Sequence, residues 1–128
     1  MTDGIADTSL FIAHETGRPL RVEVLPDRLA VSAITIGELW AGVLAATDVA
    51  VRDRRLGTLS AALALDPIPV DDRVAAAWAR LRVDLRDRGL RMPVNDSWIA
   101  ATAIALGVAV VTQDDDYVEL PGLAVLRA

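Results

Sequence analysis

Five short runs of this chain, residues 5–6, 29–32, 68–70, 108–112 and 123–126, read as strands, and none alternates apolar with polar side chains. A strand that is apolar on both faces is buried on both, which happens where helices cover a parallel sheet from either side. Helical segments do lie between most of these runs. They are expected at residues 9–15, 34–46, 49–64, 72–88 and 95–106, with Gly89 and Gly107 as terminating glycines and Asp48 as the cap of the third. The two helices on either side of Thr47-Asp48 have so short a link that they should form a hairpin. The expected class is therefore α/β: a three-layer α/β/α sandwich around a central, mostly parallel five-stranded sheet. With 128 residues, 53% of them hydrophobic, the chain has the size and apolar content of one domain spanning residues 1–128. Aromatic content is only 4%, so Trp40, Trp78 and Trp98 are expected to be the largest pieces of a core made mainly of Ala, Val, Leu and Ile.

Open sheets of this kind bind ligands beyond the carboxyl ends of their strands, where the strand order reverses. Four acidic stations fall at or near such ends. Asp7 follows the first run directly, Glu38 follows the second within a turn or two, and Asp114 follows the fourth, in Thr112-Gln113-Asp114-Asp115-Asp116-Tyr117. Asp96, in Asn95-Asp96-Ser97-Trp98, begins the helix that leads into the fourth run, so the start of that helix must reach the same edge.

Each acid taken alone has an ordinary reading. Asp7 and Asp96 suit helix N-caps, Thr35-x-x-Glu38 matches a capping box, and Asp114 to Asp116 suit a solvated turn. Together they pose an electrostatic problem. Two carboxylates about 4 Å apart repel by about 4 kcal/mol at an effective dielectric near 20, so four in one place require protons or cations. With no cysteine and one histidine, the available ligands are oxygens, which select hard ions such as Mg²⁺ or Mn²⁺ over zinc. Mg²⁺ held by a few carboxylates keeps waters and suits substrate phosphate.

These residues resemble the PIN domain, and within it the VapC-type toxins of bacterial toxin–antitoxin pairs. The resemblance spans essentially the whole chain and rests on Asp7-Thr8-Ser9, on Glu38 in Ile36-Gly37-Glu38-Leu39, on Asp96 in Asp96-Ser97-Trp98-Ile99-Ala100-Ala101, and on Thr112-Gln113-Asp114-Asp115-Asp116-Tyr117. Tyr117 stands where the family pattern has Phe, and Asp115 adds an acid. The resemblance implies an endoribonuclease using one or two Mg²⁺ or Mn²⁺ ions and a metal-activated water. Asp7, Asp96 and Asp114 would be ligands, with Asp116 the second choice for the last. Glu38 would be a ligand or a positioner of the water, and Ser9 and Thr112 would orient the carboxylates. It also implies a VapB-type antitoxin partner, a homodimer, and a tRNA or ribosomal RNA substrate. The hairpin of residues 34–64 is the surface expected to meet the second copy and the antitoxin.

Charge bears on these expectations. All 13 basic residues are Arg, and 18 acids leave a net charge of -5, so nucleic acid must be met through a local patch or through metal. Arg80, Arg82, Arg86, Arg88 and Arg91 could form such a patch, although Arg80/Asp84 and Asp84/Arg88 have the spacing of helical ion pairs. Arg52, Arg54 and Arg55 pose the same choice. No basic-then-apolar leader is evident, and the longest uncharged run, residues 97–113, is too short to span a bilayer, so a cytoplasmic protein without membrane contact is expected. Two other functions remain open: a PIN fold that has lost catalysis and serves as a binding or regulatory partner, and a nuclease acting on DNA.

Overall fold

The computed structural model describes residues 2–128. Side chains alternate across a strand, and in β1 (Asp3–Ala6) this sends Ile5 and Ala6 into different layers. The neighbouring strands are β2 (Arg28–Ala30), β3 (Ala109–Thr112) and β4 (Val125–Arg127), and every pairing is parallel in the order β2-β1-β3-β4. The helices are α1 (Thr8–Thr16), α2 (Ala33–Ala45), α3 (Val49–Leu63), α4 (Asp72–Asp87) and α5 (Val94–Leu106). Ile5, Val110 and Val125 pack with Leu81 and Leu85 of α4 and Ile99, Ala100 and Ala103 of α5. Ala6 and Val111, on the opposite face, pack with Leu10 of α1. Two helical layers thus enclose a sheet whose central strands are buried on both sides, the three-layer arrangement expected from the unalternated runs.

Among the described residues the sheet has four strands, not five. The run at residues 68–70 contributes only an isolated parallel bridge between Ser32 and Ile68. Ile68 donates its N–H to the Val31 carbonyl at 2.9 Å and accepts from the Ala33 N–H at 2.9 Å. Pro67 and Pro69 on either side have no N–H to continue a ladder.

Helix boundaries follow local chemistry. The side chains of Asp7, Ser32, Asp48 and Asp71 each accept a backbone N–H in the first turn of α1, α2, α3 and α4. Gly107 ends α5 at φ 68°, a conformation that costs other residues strain, and lets the chain enter β3 two residues later. The α2–α3 hairpin is tied internally. Arg55 Nη1 donates to the Gly42 carbonyl at 2.6 Å and Arg52 Nη2 to that of Ala46 at 2.8 Å, while Arg54 pairs with Glu15 at 3.6 Å. These arginines serve the fold.

Trp78 and Trp98 stack with ring centroids 4.3 Å apart and planes 3° from parallel, joining α4 to α5. Trp40 departs from expectation: it is 43% exposed on α2 and belongs to no core cluster. It lies four residues before Leu44, which is 76% exposed, so the two share an outward stripe of that helix.

A candidate active site at the carboxyl ends of the central strands

The chain runs from β1 outward to β2, then returns to place β3 on the other side of β1, so strand order reverses between β1 and β3. Residues leaving the carboxyl ends of these two strands meet there. Asp7 leaves β1; Thr112 ends β3 and Asp114 follows it.

Asp7 is 1% exposed, and three donors hold its carboxylate. Oδ2 accepts from Thr112 Oγ1 at 3.0 Å and from the Ser9 N–H at 3.2 Å, and Oδ1 accepts from the Tyr117 hydroxyl at 2.8 Å. Thr112 Oγ1 also accepts the Asp114 N–H at 2.9 Å and lies 3.2 Å from Ser9 Oγ. Since the Thr112 proton goes to Asp7, Ser9 must be the donor in that last pair, and its own oxygen accepts the Gln113 N–H at 3.0 Å. One network therefore fixes Asp7, the end of β3 and the loop carrying Asp114.

The capping-box reading of Glu38 does not hold. Ser32 caps α2, accepting the Ile34 N–H at 3.0 Å, and places Glu38 well inside the helix. Its Oε1 instead accepts the Thr8 hydroxyl at 2.7 Å, and Thr8 Oγ1 lies 3.0 Å from Thr35 Oγ1. Thr8 and Thr35 are both buried. Asp96 is not a cap either: Pro93 occupies that position, and Asp96 sits in the first turn of α5 with no side-chain cap bond.

The fourth acid reaches the others. Burial first, and then the charges of Asp7, Asp116, Glu38 and Asp114, push the Asp96 carboxyl up to about 7. Asp114 is raised as well, by burial and by Asp7 and Asp116, with Arg18 acting in the opposite direction. The Tyr117 phenol is held far above its ordinary range by burial and by the charge of Asp7, so it remains a donor. Asp7, Glu38, Asp96, Asp114 and Asp116 thus share one field. Asp115 does not: it is exposed and turned away, pairing with Arg127 at 3.1 Å.

Among the described residues, no arginine or histidine forms an ion pair with any of these five acids. Nor do three His, Asp or Glu side chains converge closely enough to hold an ion by themselves. A donor set of carboxylates without an ion-pair partner suits a hard cation that takes oxygen ligands and retains part of its water shell, as Mg²⁺ does. It does not suit zinc, which takes four close ligands.

Sequence reasoning gave no role to Thr8 or the Tyr117 hydroxyl, and cast Thr35 only as the start of a capping box. Thr8 was visible only as the middle of Asp7-Thr8-Ser9, and Tyr117 only as a departure from Phe.

The PIN domain family model matches residues 5–123. The chain belongs to the PIN-domain family. It is 47% identical over 121 residues to Ribonuclease VapC5 of Mycobacterium tuberculosis, covering 94% of this chain and 90% of the relative. Ribonuclease VapC4 of the same organism is 46% identical over 127 residues, covering 95% of this chain and 94% of the relative. A chain in the crystal structure of VapBC-5, a toxin–antitoxin system of M. tuberculosis, superposes with a TM-score of 0.92 at 40% identity and full coverage of both chains. This PIN domain is therefore of the VapC type. Among its described residues, no helix is long and apolar enough to cross a membrane.

Proposed function

We propose that this PIN domain is the toxin of a VapBC pair, an endoribonuclease dependent on Mg²⁺ or Mn²⁺ that acts in the cytoplasm on a structured RNA such as tRNA or ribosomal RNA. The observation that carries the reading is the convergence of Asp7, Glu38, Asp96, Asp114 and Asp116 at the strand switch, where no arginine or histidine among the described residues forms an ion pair with them. Relatives named as VapC ribonucleases support the RNA substrate, and the VapBC-5 match supports a VapB-type antitoxin and, with it, a toxin that works in an assembly. We assign the homodimer and antitoxin contacts to the α2–α3 hairpin, where Trp40 and Leu44 are exposed.

When bound, the ion supplies activated water at neutral pH and offsets negative charge on the phosphate. The protein's part is positional. Asp7, held at both oxygens, presents a fixed ligand. Asp96 and the pair Asp114/Asp116 would complete the ligand set, and the Asp96 carboxyl, pushed up to about 7, would have to give up its proton to hold the ion, which would couple binding to pH. Glu38, steered by Thr8, orients the attacking water or receives its proton.

The experiment is incubation of total cellular RNA with purified, antitoxin-free protein in Mg²⁺ or Mn²⁺, with a chelator arm and with Asp7→Asn and Asp96→Asn. Discrete fragments that vanish with chelator and in both variants are the expected result. Folded protein that binds Mn²⁺ but leaves RNA intact while cutting DNA would move the substrate to DNA. Protein that binds no divalent ion would leave a non-catalytic partner of the antitoxin.

A further inference from the structure

A carboxylate oxygen offers two lone-pair positions, and the hydrogen bonds of Asp7 fill them unequally. Oδ2 already receives Thr112 and Ser9, at 3.0 and 3.2 Å. Oδ1 receives only Tyr117, at 2.8 Å, the shortest of the three. The Oδ1 side of Asp7 is thus held by one fixed donor, the Tyr117 phenol, and the Asp114 carboxyl lies within hydrogen-bonding reach of the same carboxylate. We propose that Tyr117 is a positioning residue for the metal ion: its hydroxyl, bonded to Oδ1, fixes the orientation in which the Asp7 carboxylate would face the ion. The inference rests on the cluster being a metal site, as argued above.

Packing alone explains the ring but not the hydroxyl. The ring is 3% exposed among Leu81, Leu85, Met92, Val110 and Leu123, where Phe would serve equally. A buried phenol needs a partner, and here the partner is the carboxylate at the strand switch. Side chains that orient a ligand carboxylate in this way typically change metal affinity by about 10- to 100-fold when removed.

Two measurements test this. Calorimetric titration with Mn²⁺ compares wild type, Tyr117→Phe and Asp7→Asn; the expected result is folded Tyr117→Phe whose Mn²⁺ Kd rises about tenfold or more. A role confined to packing would lower the melting temperature equally with and without Mn²⁺ and leave Kd within twofold, which overturns the proposal. Because Tyr117 is the chain's only tyrosine, 3-fluorotyrosine incorporated throughout the protein reports on this site alone. Its ¹⁹F resonance is expected to move during Mg²⁺ titration in the wild-type background and to stay fixed in Asp7→Asn. A resonance that ignores Mg²⁺ while calorimetry registers binding overturns the proposal even if Tyr117→Phe does not fold. Wild-type protein that binds neither ion overturns the metal-site reading and this inference with it, whereas normal binding with an indifferent Tyr117 overturns the inference alone.

Discussion

The Thr8 hydroxyl donates to Glu38 Oε1 at 2.7 Å, joining the first turn of α1 to a carboxylate on α2. Thr35, buried beneath, lies 3.0 Å from the same hydroxyl, and because the Thr8 proton is committed to Glu38, Thr35 must donate to Thr8. Thr8→Val keeps the shape but breaks this relay. It is expected to cost about 1–2 kcal/mol of stability by leaving Thr35 and Glu38 short of a partner. RNA cleavage is expected to slow by about tenfold through loss of a positioned carboxylate. Urea unfolding and initial rates at saturating Mg²⁺ check both. Wild-type rates in folded Thr8→Val would remove Glu38's orientation from the mechanism.

The acid cluster should make stability depend on pH with a sign opposite to that of a salt-bridged carboxylate. The Asp96 carboxyl is raised from 3.8 to about 7, so between these values the folded protein retains a proton that the unfolded chain has lost. The associated stability is full below about pH 4 and is lost as pH rises through about 7; Asp114, raised for similar reasons, adds in the same direction. Asp3, held low by Arg28, changes only at more acid pH, outside this window. Asp96 is partly exposed, so screening reduces the effect to about 1 kcal/mol, or several degrees in melting temperature. Chelator-treated protein is expected to melt lower at pH 8 than at pH 5.5, and saturating Mg²⁺ to reverse the order, because the ion binds ionised carboxylates. A melting temperature of metal-free protein that climbs from pH 5.5 to 8 contradicts this account.

What the sequence revealed and what it concealed have physical causes. Residues 108–112 read as a buried strand because neither face of it meets water, and Val110 and Val111 do face the two helical layers. Residues 68–70 carried the same apolar signal, yet the two prolines around Ile68 limit it to one bridge. The stations of Asp7, Glu38 and Asp114 were legible because each follows a strand, and backbone topology alone delivers them to one edge. The bonds that hold them were not, since Thr8 to Glu38 and Tyr117 to Asp7 span 30 and 110 positions of sequence. Local patterns even pointed the wrong way: Thr35-x-x-Glu38 has the spacing of a capping box, but Ser32 takes the cap and frees Glu38 for Thr8. Arg52 and Arg55 looked available to phosphate until the hairpin's carbonyls claimed them.

Gly4 is where the sheet tolerates no side chain. A Cβ there would lie 2.9 Å from Pro26 Cγ and 2.9 Å from Val111 Cγ2, closer than real contacts, and Val111 is wedged between β1 and α1. Gly4→Ala should therefore force β1 away from β3 and cost about 1–3 kcal/mol. The strand ends carry Asp7 and Thr112, so Mn²⁺ affinity should fall along with stability. Gly37→Ala, where nothing lies within 4 Å of the added atom, is the control and should be neutral or slightly stabilising in its helix. Equal unfolding midpoints for the two variants would show that the sheet has room that this packing denies.

The three consecutive acids after β3 should separate by function. Asp115 points outward to Arg127, an exposed pair of the kind worth little, so Asp115→Ala should change stability by less than about 0.5 kcal/mol and leave Mn²⁺ binding alone. Asp114 is fixed through its N–H to Thr112 Oγ1, which also donates to Asp7, and both Asp114 and Asp116 act on the Asp96 carboxyl. Asp114→Asn and Asp116→Asn should each weaken Mn²⁺ binding and lower the pH at which Asp96 loses its proton, because each removes a negative charge that opposes ionisation. Of the two charges, Asp116 acts on Asp96 more strongly, so Asp116→Asn should give the larger displacement in ¹³C-detected titration of the carboxyl. If Asp115→Ala weakens Mn²⁺ binding as much as Asp116→Asn does, the loop must rearrange when the ion enters, and the pair with Arg127 must open to let Asp115 turn inward.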